Sequence, residues 1–193
     1  MLFSCLVDAD YLDTEAFMNP DAYAARGCKT SMEVLLDRLL AHMDSLQKNA
    51  ATLKVNKIRK EVYERSLDMS TNPKGFYSLT VPTGGGKTLS SVAWALKHAV
   101  HNGMERIIIA IPYTSIIVQT AYILKGIFGE ENVLEHHSNF DPLTIKDASL
   151  RNRAKTATEN WDYPIIVTTN VQLFESIFSN KPSDCRKLHN IVN

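Results

Sequence analysis

From Phe76 onward the chain alternates between two kinds of apolar run, and that alternation limits the fold more than any other feature. FYSLTV (76–81), RIIIAI (106–111), NVLEHH (132–137) and PIIVTT (164–169) have the length and β-branched content of strands. Between them lie LSSVAWALKHAV, TSIIVQTAYILKGIF and a polar stretch over about 144–160, each of helical length, and the helix NVQLFESIF follows the last strand. RIIIAI has no polar residue after Arg106, the pattern of a strand buried on both faces. Strands alternating with helices at this spacing predict βαβ units around a parallel sheet.

The first of these strands runs straight into glycines, in TVPTGGGKTLSS (80–91). A strand, a glycine-rich turn and a Lys-Thr pair opening a helix make a phosphate-binding loop. Gly84, Gly85 and Gly86 let backbone N–H groups approach a phosphate with no Cβ in the way, and the helix start adds unpaired donors with a partial positive charge. Lys87 can reach the β- and γ-phosphates of a nucleoside triphosphate, and the Thr88 hydroxyl can ligate Mg²⁺. The backbone of Pro82 and Thr83 completes the cradle. One departure stands out. The common GxxxxGK[ST] pattern asks for glycine where this chain has Val81.

Ahead of this region lie helices. Thr30 and Glu33 have capping-box spacing, and Met32, Leu35, Leu36, Leu39, Leu40, Met43 and Leu46 form one apolar stripe. A second helix is expected over about 53–67 with Val55, Ile58 and Val62 inward. Its other face, Lys54, Lys57, Arg59, Lys60 and Arg65 against Glu61 and Glu64, reads as a solvated basic face. Residues 16–29 contain Pro, Gly and Asn and are expected to be a loop. The opening LFSCLVDADYLDTE is acidic, with the character of a helix end belonging to something larger.

Composition narrows the class further. Basic and acidic residues both number 21, so no general electrostatic pull toward nucleic acid exists and any contact must be local. Cys5, Cys28 and Cys185 are scattered, odd in number and without a CxxC pair, which fits reduced thiols and a cytoplasmic location rather than a disulfide framework or zinc knuckle. His136 and His137 are adjacent on a strand and so point to opposite faces, a poor arrangement for chelating one metal. His98 and His101 share a helix face but have no third ligand in the pattern.

Two further segments are candidates for nucleic-acid contact. Tyr113, Thr114 and Ser115 stand where a strand gives way to a helix, with hydroxyls and N–H groups suited to a sugar–phosphate backbone, although Thr114 or Ser115 could equally cap that helix. Thr168, Thr169 and Asn170 repeat the arrangement, and Thr169 with Gln172 also has capping-box spacing. Asn56, Arg59, Phe76 and Tyr77 are the weak candidates for holding an adenine.

VPTGGGKT resembles motif I of superfamily 2 helicases, in which the first glycine is often replaced. Taken with FSCLVDADYLDTE, VNKIRK, IIIAIPYTSIIVQTA, EHHSN and PIIVTTNVQLFESIFSN, the chain closely resembles the CRISPR-associated helicase–HD nuclease of type I interference systems, in particular the subtype C form. The resemblance covers essentially the whole length. It implies an α/β fold, a P-loop RecA-like three-layer domain with a parallel sheet, preceded by helices. Residues 1–18 would be the end of the HD nuclease domain, 19–52 a helical linker, and 53–193 the first RecA-like domain up to Walker B. It implies ATP and Mg²⁺ as cofactors, a divalent transition metal in the nuclease domain, and single-stranded DNA and an RNA-guided surveillance complex as partners, with sequence read by the guide. It puts the last nuclease metal ligand at Asp10, with Asp8 as the fallback. No His-Asp and no Asp-Glu dipeptide occurs in the chain, so the nuclease's signature pair and the Walker B carboxylates are not among its residues. The expectation is therefore nucleotide binding with little turnover. The competing readings are another superfamily 2 motor, acting on DNA or RNA, and a non-catalytic nucleotide-binding or interaction module.

Overall fold

A computed structural model describes residues 1–24, 26, 30–48 and 54–192. The chain is mixed α/β and mostly helical, at 67%, with a small three-stranded parallel sheet. It divides into two compact units, one of residues 30–107 and the other of residues 1–29 with 108–193. This division cuts across the boundaries drawn from sequence after residues 18 and 52, because the first helix belongs with the second half of the chain. No helix among the described residues is long and apolar enough to cross a membrane.

In the 30–107 unit, α3 (Met32–Lys48) and α4 (Lys54–Met69) both pack on α5 (Lys87–Asn102). The α3 stripe is present: Met32, Leu35 and Leu39 are buried, while Leu46 lies beyond the contact and is exposed. Ser31, not Thr30, immediately precedes the helix, and its hydroxyl together with the Glu33 N–H holds the Glu33 carboxyl below its ordinary value. The inward face of α4 is shorter than expected: Tyr63 and Ser66 are buried and Val62 is half-buried, whereas Val55 and Ile58 near the helix start are exposed. At the other end, Lys97 Nζ donates to Leu67 O at 3.2 Å, and the His98 ring pairs through Nδ1 with Ser70 O at 2.8 Å, so α5 caps α4.

The expected strand FYSLTV is not one. Residues 76–82 are irregular and join no ladder among the described residues, and Phe76 is fully exposed. Side chains hold this segment instead of a sheet. The Tyr77 ring tilts onto Trp94 at 5.1 Å and meets the edge of His98 at 5.9 Å, Trp94 and His98 stack at 4.6 Å, and the Tyr77 hydroxyl bonds the Pro73 carbonyl.

The other unit contains the sheet. Strands β1 (Ile107–Ile111), β2 (Val133–His136) and β3 (Ile165–Thr169) lie in the order β1-β3-β2, with Val133 opposite Ile165 and His136 opposite Thr168. Helix α6 (Thr114–Phe128) packs on β2 and β3, burying Ile117, Ala121, Leu124 and Phe128. On β2 and α7 (Ala148–Asn160), a cluster of Leu134, Ala154, Ala157, Trp161, Tyr163 and Ile166 is buried. Trp161 ends α7 in the left-handed region at φ 61°, a conformation bulky residues seldom adopt. It is held there by complete burial and by its indole Nε1–H, which donates to His136 Nδ1 at 2.8 Å.

Residues 16–29 are less loop-like than expected: α1 (Leu2–Met18) extends through Met18, and Pro20 opens a short α2 (Pro20–Ala24) at a position where proline costs nothing. Cys28 and residues 27 and 29 lie outside the described residues. The chain closes with α8 (Asn170–Phe178), α9 (Pro182–Cys185) and α10 (Leu188–Ile191), and α1 packs against the last two.

Candidate nucleotide site and neighbouring segments

The glycine loop lies at the N-terminus of α5, and each glycine is there for a different reason. Gly84 and Gly86 have φ of 82° and 84°, values that glycine alone adopts freely. Gly85 has no such angle, but a Cβ on it would stand 2.4 Å from Val81 Cγ1 and 3.0 Å from the Pro82 carbonyl. Val81 is buried and fills the space beneath the loop. Its replacement of glycine thus makes a floor that the loop rests on.

Hydrogen bonds then fix the loop's polarity. Gly85 N–H donates to Pro82 O at 3.0 Å, closing the turn, and Ser90 N–H donates to Gly86 O at 3.1 Å as the first bond of the helix. The N–H groups of Lys87, Thr88 and Leu89 precede that bond and have no intrahelical acceptor. From α4, Arg59 Nε donates to Gly84 O at 2.8 Å and Nη1 to Asn56 Oδ1 at 3.3 Å. A carbonyl that would repel a phosphate is thereby turned aside, and a guanidinium is placed beside the loop. Thr83, Gly84, Lys87 and Thr88 are exposed and Leu89 is half-buried. This donor set fits a nucleotide phosphate and a Mg²⁺ ion shared with Thr88. Asn56 and Arg59, weak in sequence, stand beside the loop; Phe76 projects into solvent and Tyr77 belongs to the Trp94–His98 cluster.

The segments at 113–115 and 168–170 are in the other unit. The first follows β1 and the second spans the end of β3 and the start of α8; β1 and β3 are neighbours in a parallel sheet, so both segments lie at its C-terminal edge. Tyr113 is the N-cap of α6, makes no side-chain cap bond and is 65% exposed. Thr114 and Ser115 are already helical, so neither caps the helix. In the second segment the residues separate by role. The Thr168 hydroxyl is buried and donates to His136 O at 2.7 Å, which turns it into the sheet and away from any phosphate. Thr169 Oγ1 accepts from Gln172 N–H at 2.9 Å and caps α8. Asn170 is half-buried at the helix start.

The carboxylates of α1 also separate. Asp10 is exposed, whereas Asp8 is buried and accepts from Arg186 Nε at 2.7 Å and Asn160 Nδ2 at 3.2 Å. Arg186 Nη1 also reaches Glu159 at 3.1 Å, and its guanidinium lies 4.6 Å from the Tyr11 ring centre. Glu159 receives Arg26 Nη2 at 2.7 Å, and Arg26 in turn pairs with Glu15. Asp8 is thus neutralised by a buried arginine and is unsuited to a metal ion. Among the described residues no group of three His, Cys, Asp or Glu side chains could hold one. Sequence reasoning missed Arg186, Glu159 and Arg26, because the contacts that join them to α1 and to one another include Arg186 to Asp8 and Arg26 to Glu159, which are far apart along the chain.

The histidine pairs behave structurally. His136 accepts the Trp161 N–H, and burial, with Lys187 and His137 nearby, lowers its pKa to about 4. His137 faces the other way and pairs with Glu135 at 3.0 Å. Neither a protein family nor a curated protein matches this chain.

Proposed function

We propose that the chain belongs to an ATP-dependent DNA translocase and single-strand nuclease of the CRISPR-associated helicase–HD nuclease kind, and that residues 82–88 hold the phosphates of its nucleotide. The observation that carries this reading is the loop itself. Two left-handed glycines flank a third whose Cβ would press on Val81, at the start of a sixteen-residue helix with Lys87 and Thr88 exposed. In this proposal Lys87 neutralises β- and γ-phosphate charge, Thr88 ligates Mg²⁺, and the N–H groups of Lys87, Thr88 and Leu89 bind phosphate oxygens.

The remaining roles follow from position. Tyr113, Ser115 and Asn170 would meet the DNA backbone at the C-terminal edge of the sheet, where ligands of open parallel sheets bind. The outward Asp10, and not Asp8, would belong to the nuclease metal site. Within the RecA-like assignment the three observed strands are one part of the sheet. With no Asp-Glu pair in its sequence, the chain in this proposal binds nucleotide weakly and turns over little of it.

Titration of the chain with a fluorescent ATP analogue and Mg²⁺ tests the assignment, with phosphate release measured in parallel, with and without single-stranded DNA. Saturable binding weakened at least about tenfold by Lys87→Ala is the expected result, a loss of roughly 1.4 kcal/mol. Binding that ignores Lys87, or no binding at all, would refute it. Rapid DNA-stimulated turnover would show that the chain carries a hydrolytic carboxylate that the sequence pattern hides.

A further inference from the structure

The Arg59 side chain lies across the glycine loop from Gly86 to Gly84. A Cβ on Gly86 would meet Arg59 Cγ at 3.4 Å, and Arg59 Nε donates to Gly84 O at 2.8 Å. Nη1 turns back to Asn56 Oδ1 at 3.3 Å, and Nη2 has no partner among the described residues. Neutral acceptors thus position the guanidinium without cancelling its charge. Lys60, next along α4, is by contrast paired with Glu64 at 3.7 Å. Lys87 resembles Arg59: it is exposed and has no carboxylate partner among the described residues. Two uncompensated cations therefore stand on one short loop, beside helix-start N–H groups that have no intrahelical acceptor.

The surroundings of Arg59 suit an anion better than a nucleobase. A base is held against a flat apolar face, yet Phe76 projects fully into solvent and Tyr77 is taken up by Trp94 and His98. What Arg59 touches is a backbone carbonyl, an amide and a bare glycine.

We propose that Arg59 is a second phosphate-binding cation of this loop, acting with Lys87 on the nucleotide's polyphosphate and not on its base. The proposal rests on residues 82–88 holding that nucleotide. Its chemistry is charge matching. A Mg²⁺-bound nucleoside triphosphate keeps two negative charges, which Lys87 and Arg59 together balance. Nη2 and the second N–H of Nη1 remain for phosphate oxygens, the planar fork that guanidinium groups present to such anions.

Displacement of a fluorescent ATP analogue by ATP, or by inorganic tripolyphosphate, with Mg²⁺ present, tests the role in Arg59→Gln and Arg59→Lys. A glutamine amide nitrogen stands as many bonds from the backbone as Nε does, so Arg59→Gln keeps the donor to Gly84 O and removes the charge. Arg59→Lys does the reverse. The expected result is that Arg59→Gln weakens ATP and tripolyphosphate by the same factor, about three- to fivefold at low salt. The loss shrinks as salt is raised. Hydrogen exchange at residues 83–86 stays at the wild-type rate in Arg59→Gln and accelerates in Arg59→Lys, which keeps the wild-type salt dependence. The proposal is overturned if Arg59→Gln binds as the wild type does, if it weakens ATP but not tripolyphosphate, or if its loss is matched by faster exchange. In each of those cases, binding that Lys87→Ala abolishes leaves the nucleotide assignment standing. A wild-type chain that binds no nucleotide overturns both.

Discussion

Arg59 donates through Nε to the carbonyl oxygen of Gly84 at 2.8 Å, so a side chain of α4 sets the orientation of a peptide in the glycine loop. A charged donor on an exposed carbonyl is worth about 1 kcal/mol. Arg59→Ala is therefore expected to leave the thermal midpoint nearly unchanged while weakening nucleotide binding about three- to tenfold. Hydrogen exchange at residues 83–86 should accelerate in the same variant. Unchanged affinity and exchange would mean that the contact does not order the loop.

The Val81–Gly85 contact makes a sharper prediction. Gly85→Ala forces a Cβ to within 2.4 Å of Val81 Cγ1, and overpacking of this kind costs about 1–3 kcal/mol. Val81→Ala removes the obstructing atoms, so the double variant should recover part of the loss. The recovery is incomplete because the Pro82 carbonyl still stands 3.0 Å away. Denaturant midpoints of the four proteins measure the coupling, and strict additivity would rule the clash out.

Two aspartates two residues apart on α1 should behave in opposite ways. Asp8 and Arg186 have side chains only 5% exposed, and removing one member of a buried pair costs about 3–5 kcal/mol. Asp8→Asn and Arg186→Met are expected to destabilise by amounts in that range, and Asp8→Leu combined with Arg186→Met by much less than either alone. Asp10→Asn should change stability by under about 0.5 kcal/mol, as exposed substitutions do. Chemical denaturation of all four distinguishes the anchoring carboxylate from the outward one.

The Trp161–His136 bond has a pH signature. His136 titrates at about 4 when folded against an ordinary value of 6.5, so between those values the unfolded chain binds more protons at this site than the folded one. Stability at this site is fully present above about pH 6.5 and falls as pH drops toward about 4. Below that both states are protonated and the loss levels off, after about 3 kcal/mol in total. Carboxylates titrate in the lower part of this window, so the measurement is the difference between the wild type and His136→Asn, which keeps an acceptor for the indole. Parallel stability curves for the two proteins from pH 7 to 4 would contradict the assigned shift.

Elements held by local periodicity were legible in the sequence, and those held by distant partners were not. RIIIAI, PIIVTT, α6 and α8 appear where their patterns put them, and the Gly84–Lys87 turn follows from residues adjacent in the chain. FYSLTV has strand composition but lacks a neighbouring strand among the described residues, and it is pinned by Trp94 and His98 instead. On α4 apolarity marked Val55 and Ile58, which lie near the helix start and stay exposed, whereas the burial is toward the helix end, where Lys97 and His98 reach the carbonyls of Leu67 and Ser70. Thr168 and Thr169 look alike in sequence. Only the sheet register, which sets His136 opposite Thr168, shows that one hydroxyl is consumed inside the strand layer. The choice between Asp8 and Asp10 likewise required Arg186, 178 residues away from Asp8.

The chain has two tryptophans, and one falls in each compact unit: Trp94 on α5 and Trp161 at the end of α7. Their surroundings differ optically. Trp94 is stacked on an imidazole, a quencher when protonated, while Trp161 is fully enclosed with its indole N–H bonded. Single-tryptophan chains made by Trp94→Phe and Trp161→Phe would therefore emit with separable intensity and wavelength. Each would report the melting of its own half, and nucleotide binding at residues 82–88 would register in the Trp94 signal alone unless the halves communicate.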